Sequence, residues 1–167
     1  MEATSVRPGY ELWRPNREKA QSKTTKALVA LVLLVSAALV IIVTLGGWAR
    51  LQGSSVAVMS LVYAGLYIVF AVLIMAWNRG LLPVAASLAI ILAIFAAIAS
   101  PAWFARSKDG LASPALPEDL LGLLTLILVP VQILLIVIAM VAFNQEWHVE
   151  EERPIEGHQP ADGANDA

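Results

Sequence analysis

The 167-residue chain has no cysteine. That single gap excludes disulfides, thiolate metal sites, iron–sulfur clusters, thiol catalysis and S-palmitoylation. Charge is scarce: 14% of the residues are Asp, Glu, Lys or Arg, against about 25% in an ordinary soluble domain. It is missing altogether from residues 27–49, 51–78, 80–105 and 120–145. Histidine is missing there too, because His148 and His158 both follow the last of these stretches. Facing histidines for haem ligation are therefore not available inside the apolar stretches. Neither is the buried carboxylate or imidazole that a proton-coupled pump uses as its relay. What remains assembles no nucleophile–base pair, no phosphate-binding glycine loop and no carboxylate dyad. The expectation is a non-enzyme with no cofactor, no metal and no nucleic-acid partner.

What the chain does have is 59% hydrophobic residues, gathered into the four uncharged stretches. A helix rises about 1.5 Å per residue, so ~20 residues cross the ~30 Å hydrocarbon layer of a bilayer. Each stretch is long enough. Trp48, Trp77, Trp103 and Trp147 sit at or just beyond the C-terminal ends of the four apolar cores. Tryptophan favours the headgroup level, so all four read as interface anchors. The expected fold is all-α, an integral membrane bundle of four transmembrane helices at about 27–48, 56–77, 83–100 and 119–145. A cleaved signal peptide is a poor alternative for the first stretch. The run from Ala27 to Leu45 exceeds the usual apolar region of 7–15 residues, and bulky Trp48 sits inside the only small-residue exit.

The polar flanks suggest the orientation. Residues 1–26 form a basic arm with Arg7, Arg14, Arg17, Lys19, Lys23 and Lys26, and Asn16 is placed to cap a helix leading into the first span. Counting Arg79 and Arg153, one face carries eight basic residues; Arg50, Arg106 and Lys108 leave three for the other. The excess predicts a plasma-membrane protein with both termini in the cytoplasm and the loop at 101–119 outside. Gly46-Gly47 reads as a loosened exit from span one, and Ser100-Pro101 as the end of span three. The acidic tail, 146–167, is rich in Gly, Pro, Ala and Asp after Pro154 and reads as disordered.

In lipid, helices meet through small residues or hydrogen bonds rather than through leucine. Ala85, Ala89, Ala93 and Ala97 recur every four residues in span three and form the expected close-approach ridge. Rows spaced by seven occur in the other spans: Ala30, Ala37 and Thr44; Ala57, Ala64 and Ala71; Thr125, Gln132 and Ala139. Gln132 is the only amide in an apolar core, two residues after Pro130. Interhelical hydrogen bonding is the plainer role for it, with Tyr63 or Tyr67 as partner. A substrate contact beside a proline bend is the sharper one.

The ends carry opposite charge. Glu150, Glu151 and Glu152 follow the last span, at the negative end of its dipole, and need a positive neighbour. The basic arm, a basic partner or plain solvation would each serve. Lys23 and Lys26 are candidates for lipid headgroups, and weak metal binding by the glutamates beside His148 is the least favoured reading. Tyr10, Leu12 and Trp13 are too apolar to float in water, so they suit an interfacial segment or a plug in a partner's groove. Lipid, other membrane subunits and a second copy of the chain are the expected partners. The leading functional expectation is an accessory or assembly subunit of a larger membrane complex; a small oligomeric transporter or channel is the alternative.

Overall fold

The computed structural model describes residues 6–51, 53–105 and 113–155. The expected disorder beyond residue 155 falls outside them. Four long helices dominate: α2 (Ala20–Gly46), α3 (Ser54–Met75), α4 (Leu81–Phe104) and α5 (Glu118–Phe143). All four are long and apolar enough to cross a membrane. Their regularity has a simple origin. Hydrocarbon offers no partner for a backbone N–H or C=O, so a spanning segment must satisfy them within itself. A short helix, α1 (Pro15–Glu18), precedes α2, and a single 3-10 turn, Trp48–Arg50, follows it.

The first helix begins well before its apolar core, because Lys19 closes the arm with an extended ψ of 132° and the helix starts at Ala20. Asn16 is not its cap: it belongs to α1, and its Oδ1 accepts from Lys19 Nζ at 2.7 Å. Nor does Pro101 end α4, which carries it internally and runs on to Phe104. Proline deletes one helical hydrogen bond, and packing on both sides offsets that loss. Ser100 ties the region to α5 by donating to the Gly122 carbonyl at 3.1 Å.

α2 is the centre of the bundle. It packs along both α3 and α5, and α4 packs most extensively along α5, whereas α3 and α4 meet only sparsely. The order around the bundle is thus α3–α2–α5–α4. Buried positions on α5 are Leu121, Gly122, Thr125, Leu128, Gln132, Leu135, Ala139 and Ala142. Apart from Gly122, they alternate steps of four and three, the 3.5-residue period of left-handed packing. The rows spaced by seven, Ala30/Ala37/Thr44, Ala57/Ala64/Ala71 and Thr125/Gln132/Ala139, all lie inside. The row spaced by four does not stay inside. Ala85 and Ala89 are buried, Ala93 is half-buried and Ala97 faces outward, while Ala86, Ala96 and Ser100 are buried in addition. The reason is angular. Seven residues fall about 20° short of two turns, but each four-residue step overshoots one turn by about 40°.

At the end of the bundle away from the termini, Gly46 and Gly47 are tightly packed rather than loose. A methyl on Gly46 would meet Leu116 Cδ1 at 2.6 Å, and one on Gly47 would meet the Trp103 ring and the Val43 carbonyl, the latter at 2.9 Å. Trp103 is therefore buried against α2, not held at a lipid interface. Arg50 and Glu118 form a 3.0 Å ion pair there, both largely buried.

The termini meet at the other end. Strand β1 (Tyr10–Trp13) pairs antiparallel with β2 (Glu151–Pro154), Tyr10 opposite Pro154 and Trp13 opposite Glu151. The apolar cluster of the arm is thus half of a two-stranded ribbon. Gly9, at φ 86°, makes the bend into it, and its carbonyl accepts from Ile155 N at 2.9 Å.

Candidate functional site

Two polar clusters stand out, one in the middle of the membrane span and one at the terminal end of the bundle. The first is built on three helices. Gln132 is fully buried on α5. Its Oε1 accepts from Tyr67 Oη of α3 at 2.8 Å, and its Nε2 donates to Ser36 Oγ of α2 at 2.9 Å. Ser36 in turn donates to the Val32 carbonyl one turn back, at 2.8 Å. Both ends of the amide are therefore engaged. Among the described residues no buried side-chain polar atom lacks a partner.

Tyr63 does not itself bond Gln132, although its side chain adjoins that of Tyr67. Its hydroxyl donates to the Leu88 carbonyl of α4, and its ring meets that of Tyr67 edge-on, with 5.3 Å between centroids. The two tyrosines thus divide the work: Tyr67 ties α3 to α5, and Tyr63 bridges the sparse α3–α4 contact. Pro130 faces outward, away from the amide. Ser36 was not singled out in the sequence. Its only signal is a hydroxyl in the middle of an otherwise apolar run, and that marks a polar contact only once Gln132 is known to face it.

The second cluster caps the helix ends beside the termini. Trp77 and Trp147 stack edge-on, with centroids 5.3 Å apart and planes at 87°. Trp147 is fully buried, and its Nε1 donates to Gln145 Oε1 at 3.1 Å, so it anchors protein to protein. Of the four tryptophans at the span ends, Trp48 is the most exposed and Trp77 is half-buried. Trp77 sits at φ 67°, in the left-handed position that ends a helix and that glycine usually takes. Asn78 N reaches back to the Leu73 carbonyl at 3.1 Å and Trp77 N to the Ile74 carbonyl at 2.9 Å, completing the motif. A bulky residue in this conformation costs about 1–2 kcal/mol. The ring contacts offset it, with Lys26 Nζ 3.8 Å and the Arg17 guanidinium 5.6 Å from its centroid.

The cations here neutralise helix ends. Lys26 donates to the Met75 carbonyl at the end of α3, at 3.1 Å. Arg79 Nε donates to the Phe143 carbonyl at the end of α5, at 2.9 Å, and its other nitrogen lies 2.8 Å from His148 Nδ1. Arg17 donates to the Trp147 carbonyl at 3.0 Å. Burial and the neighbouring Arg14 lower its pKa, and Glu150 partly restores it. Positive charge at the C-terminal end of a helix meets the negative end of its dipole. The glutamates find cations as well: Arg14 pairs with Glu150, and Arg7 with Glu152 at 2.6 Å. Glu151 and Lys23 are exposed. No group of His, Asp and Glu among the described residues is arranged to hold a metal ion.

Comparison with protein families, curated proteins and solved structures finds no match. The chemistry of these two clusters is therefore what bears on function. The central one can tie helices together, and the terminal one can fix arm and tail to the bundle.

Proposed function

We propose that this chain is a non-catalytic accessory or assembly subunit of a larger complex in the cell membrane, with both termini in the cytoplasm. The observation that carries the reading is the closed state of Gln132. A residue that lines a path must offer an unsatisfied donor or acceptor to the passing solute. Here the one intramembrane amide is fully buried and both of its ends bond to helices of the same bundle. The proline that would have marked a gating bend faces outward. Such a bundle is suited to being a fixed body that other subunits pack against. The cytoplasmic assignment rests on the eight basic residues flanking one face against three on the other. Arm and tail, locked together as a ribbon, would then present one rigid surface on that side.

Reconstitution tests the reading. The purified chain in liposomes should pass neither ions nor small solutes above the leak of empty vesicles. Flux that Gln132→Leu abolishes, with the protein still folded and inserted, would replace this proposal with a transport function.

A further inference from the structure

The terminal end of the bundle holds a polar cleft of about 290 Å³ between the start of α2 and the end of α5. Asn16, Lys19, Gln21 and Ser22 line one side, and Asn144, Gln145 and Glu146 the other. At about 30 Å³ per water, it has room for roughly ten waters, or for a phosphate group with water to spare.

Three features converge on it. The first turn of α2 has no side-chain cap, so the amides of Gln21 and Ser22, two residues that line the cleft, stand at the positive pole of a 27-residue helix. Ser22, the third residue of that helix, is 2% exposed and lines the cleft. No hydrogen bond engages its hydroxyl among the described residues, although every fully enclosed side-chain polar atom there has a partner. The hydroxyl is therefore open to the cleft itself. Lys19 supplies the charge: its Nζ spends one donor on Asn16 Oδ1, at 2.7 Å, which leaves the others for a guest. Across the cleft, Gln145 is already committed, its amide donating to Thr25 and accepting from Trp147.

The depth is right for a headgroup. Ser22 precedes Ala27, the first residue of the apolar core, by five positions, or about 7.5 Å along an upright helix. The polar zone on each side of the hydrocarbon is about 5–8 Å deep. We infer that this cleft binds a phosphate group, held by the free amides of α2, the Ser22 hydroxyl and the Lys19 ammonium. A phospholipid headgroup and free phosphate share this chemistry. Glu146, the one carboxylate on the rim, opposes the anion and so sets the affinity from the other side.

The test uses the full chain and its thermal unfolding midpoint, because a ligand that binds only the folded state raises it. One arm adds inorganic phosphate in detergent, against chloride at equal ionic strength. The other compares nanodiscs of phosphatidylcholine with and without phosphatidylglycerol. The wild type should respond in at least one arm. A response to phosphatidylglycerol alone identifies the lipid as the source, and a response to inorganic phosphate identifies the free anion. Lys19→Gln should weaken the response about fivefold, the effect of one basic residue at an anionic surface. Glu146→Gln should strengthen it. Ser22→Asp places a carboxylate on the same amides, so it should raise the midpoint without ligand and abolish the response. Lys19 and Glu146 are exposed, so their variants decide the matter even if Ser22→Asp does not fold. No response in either arm, or equal responses from the wild type, Lys19→Gln and Glu146→Gln, would overturn the site.

Discussion

Replacing Gln132 by leucine keeps the volume of the side chain roughly constant and removes both of its hydrogen bonds. In a bundle whose helices barely gain by hiding leucine, each interhelical bond contributes about 0.6–1 kcal/mol, so the two together supply ~1–2 kcal/mol. The orphaned partners add to that. Ser36 keeps its bond to the Val32 carbonyl and loses little. Tyr67 is fully buried with Gln132 Oε1 as the acceptor of its hydroxyl, and stranding such a donor costs about 1–3 kcal/mol. Gln132→Leu should therefore lower stability by about 2–5 kcal/mol. Tyr67→Phe leaves only an unfilled acceptor and should cost about 1 kcal/mol. In the double variant the stranded hydroxyl no longer exists, so the two losses should fall short of their sum by about 1 kcal/mol. Reversible unfolding in mixed micelles, titrated with a denaturing detergent, measures all four corners of this cycle. Losses that simply add, within the ~0.5 kcal/mol expected of independent sites, would refute the idea that the two residues form one network.

Four further outcomes follow from other parts of the structure. Ala89→Leu, at a fully buried position on α4, should overpack the α4–α5 seam and cost about 1–3 kcal/mol, whereas Ala97→Leu, which faces outward, should change the unfolding midpoint little. Gly47→Ala should destabilise by a similar ~1–3 kcal/mol, because its methyl would meet the Trp103 ring and the Val43 carbonyl; Gly65→Ala, with nothing within 4 Å of its added methyl, is the matched control for thermal unfolding. Arg14→Ala should loosen the arm–tail ribbon, read as faster amide exchange at Leu12, and high salt should do the same to the wild type through screening of the exposed pairs. Reporter fusions should place the region after Arg153 in the cytoplasm and a tag at Gly110 outside; a cytoplasmic Gly110 would remove the four-span topology or its orientation.

The four helices were legible because lipid leaves a 20-residue uncharged run few other conformations. The helix faces were legible where the row repeated every seven residues and misleading where it repeated every four, as Ala97 demonstrates. Gln132 and Tyr67 could be paired on polarity alone, since so few polar groups share the membrane interior. Ser36 could not, because a serine can always bond its own helix, and here it also does. Tryptophan position was a weaker guide: Trp103, near the end of α4, and Trp147, just past the end of α5, both point inward, an orientation that composition does not encode. The ribbon was the least legible element. Tyr10–Trp13 and Glu151–Pro154 lie at opposite ends of the chain, and nothing in either segment names the other except its charge.

Purification of the tagged chain from its native membranes in a mild detergent tests the central claim most directly. If the protein is an accessory or assembly subunit, it should co-migrate with larger membrane subunits in fixed stoichiometry. Loosening the bundle through Ala89→Leu should reduce their recovery more than Ala97→Leu does. A monodisperse homo-oligomer that carries no other subunit, and that conducts solute once reconstituted, would contradict the account.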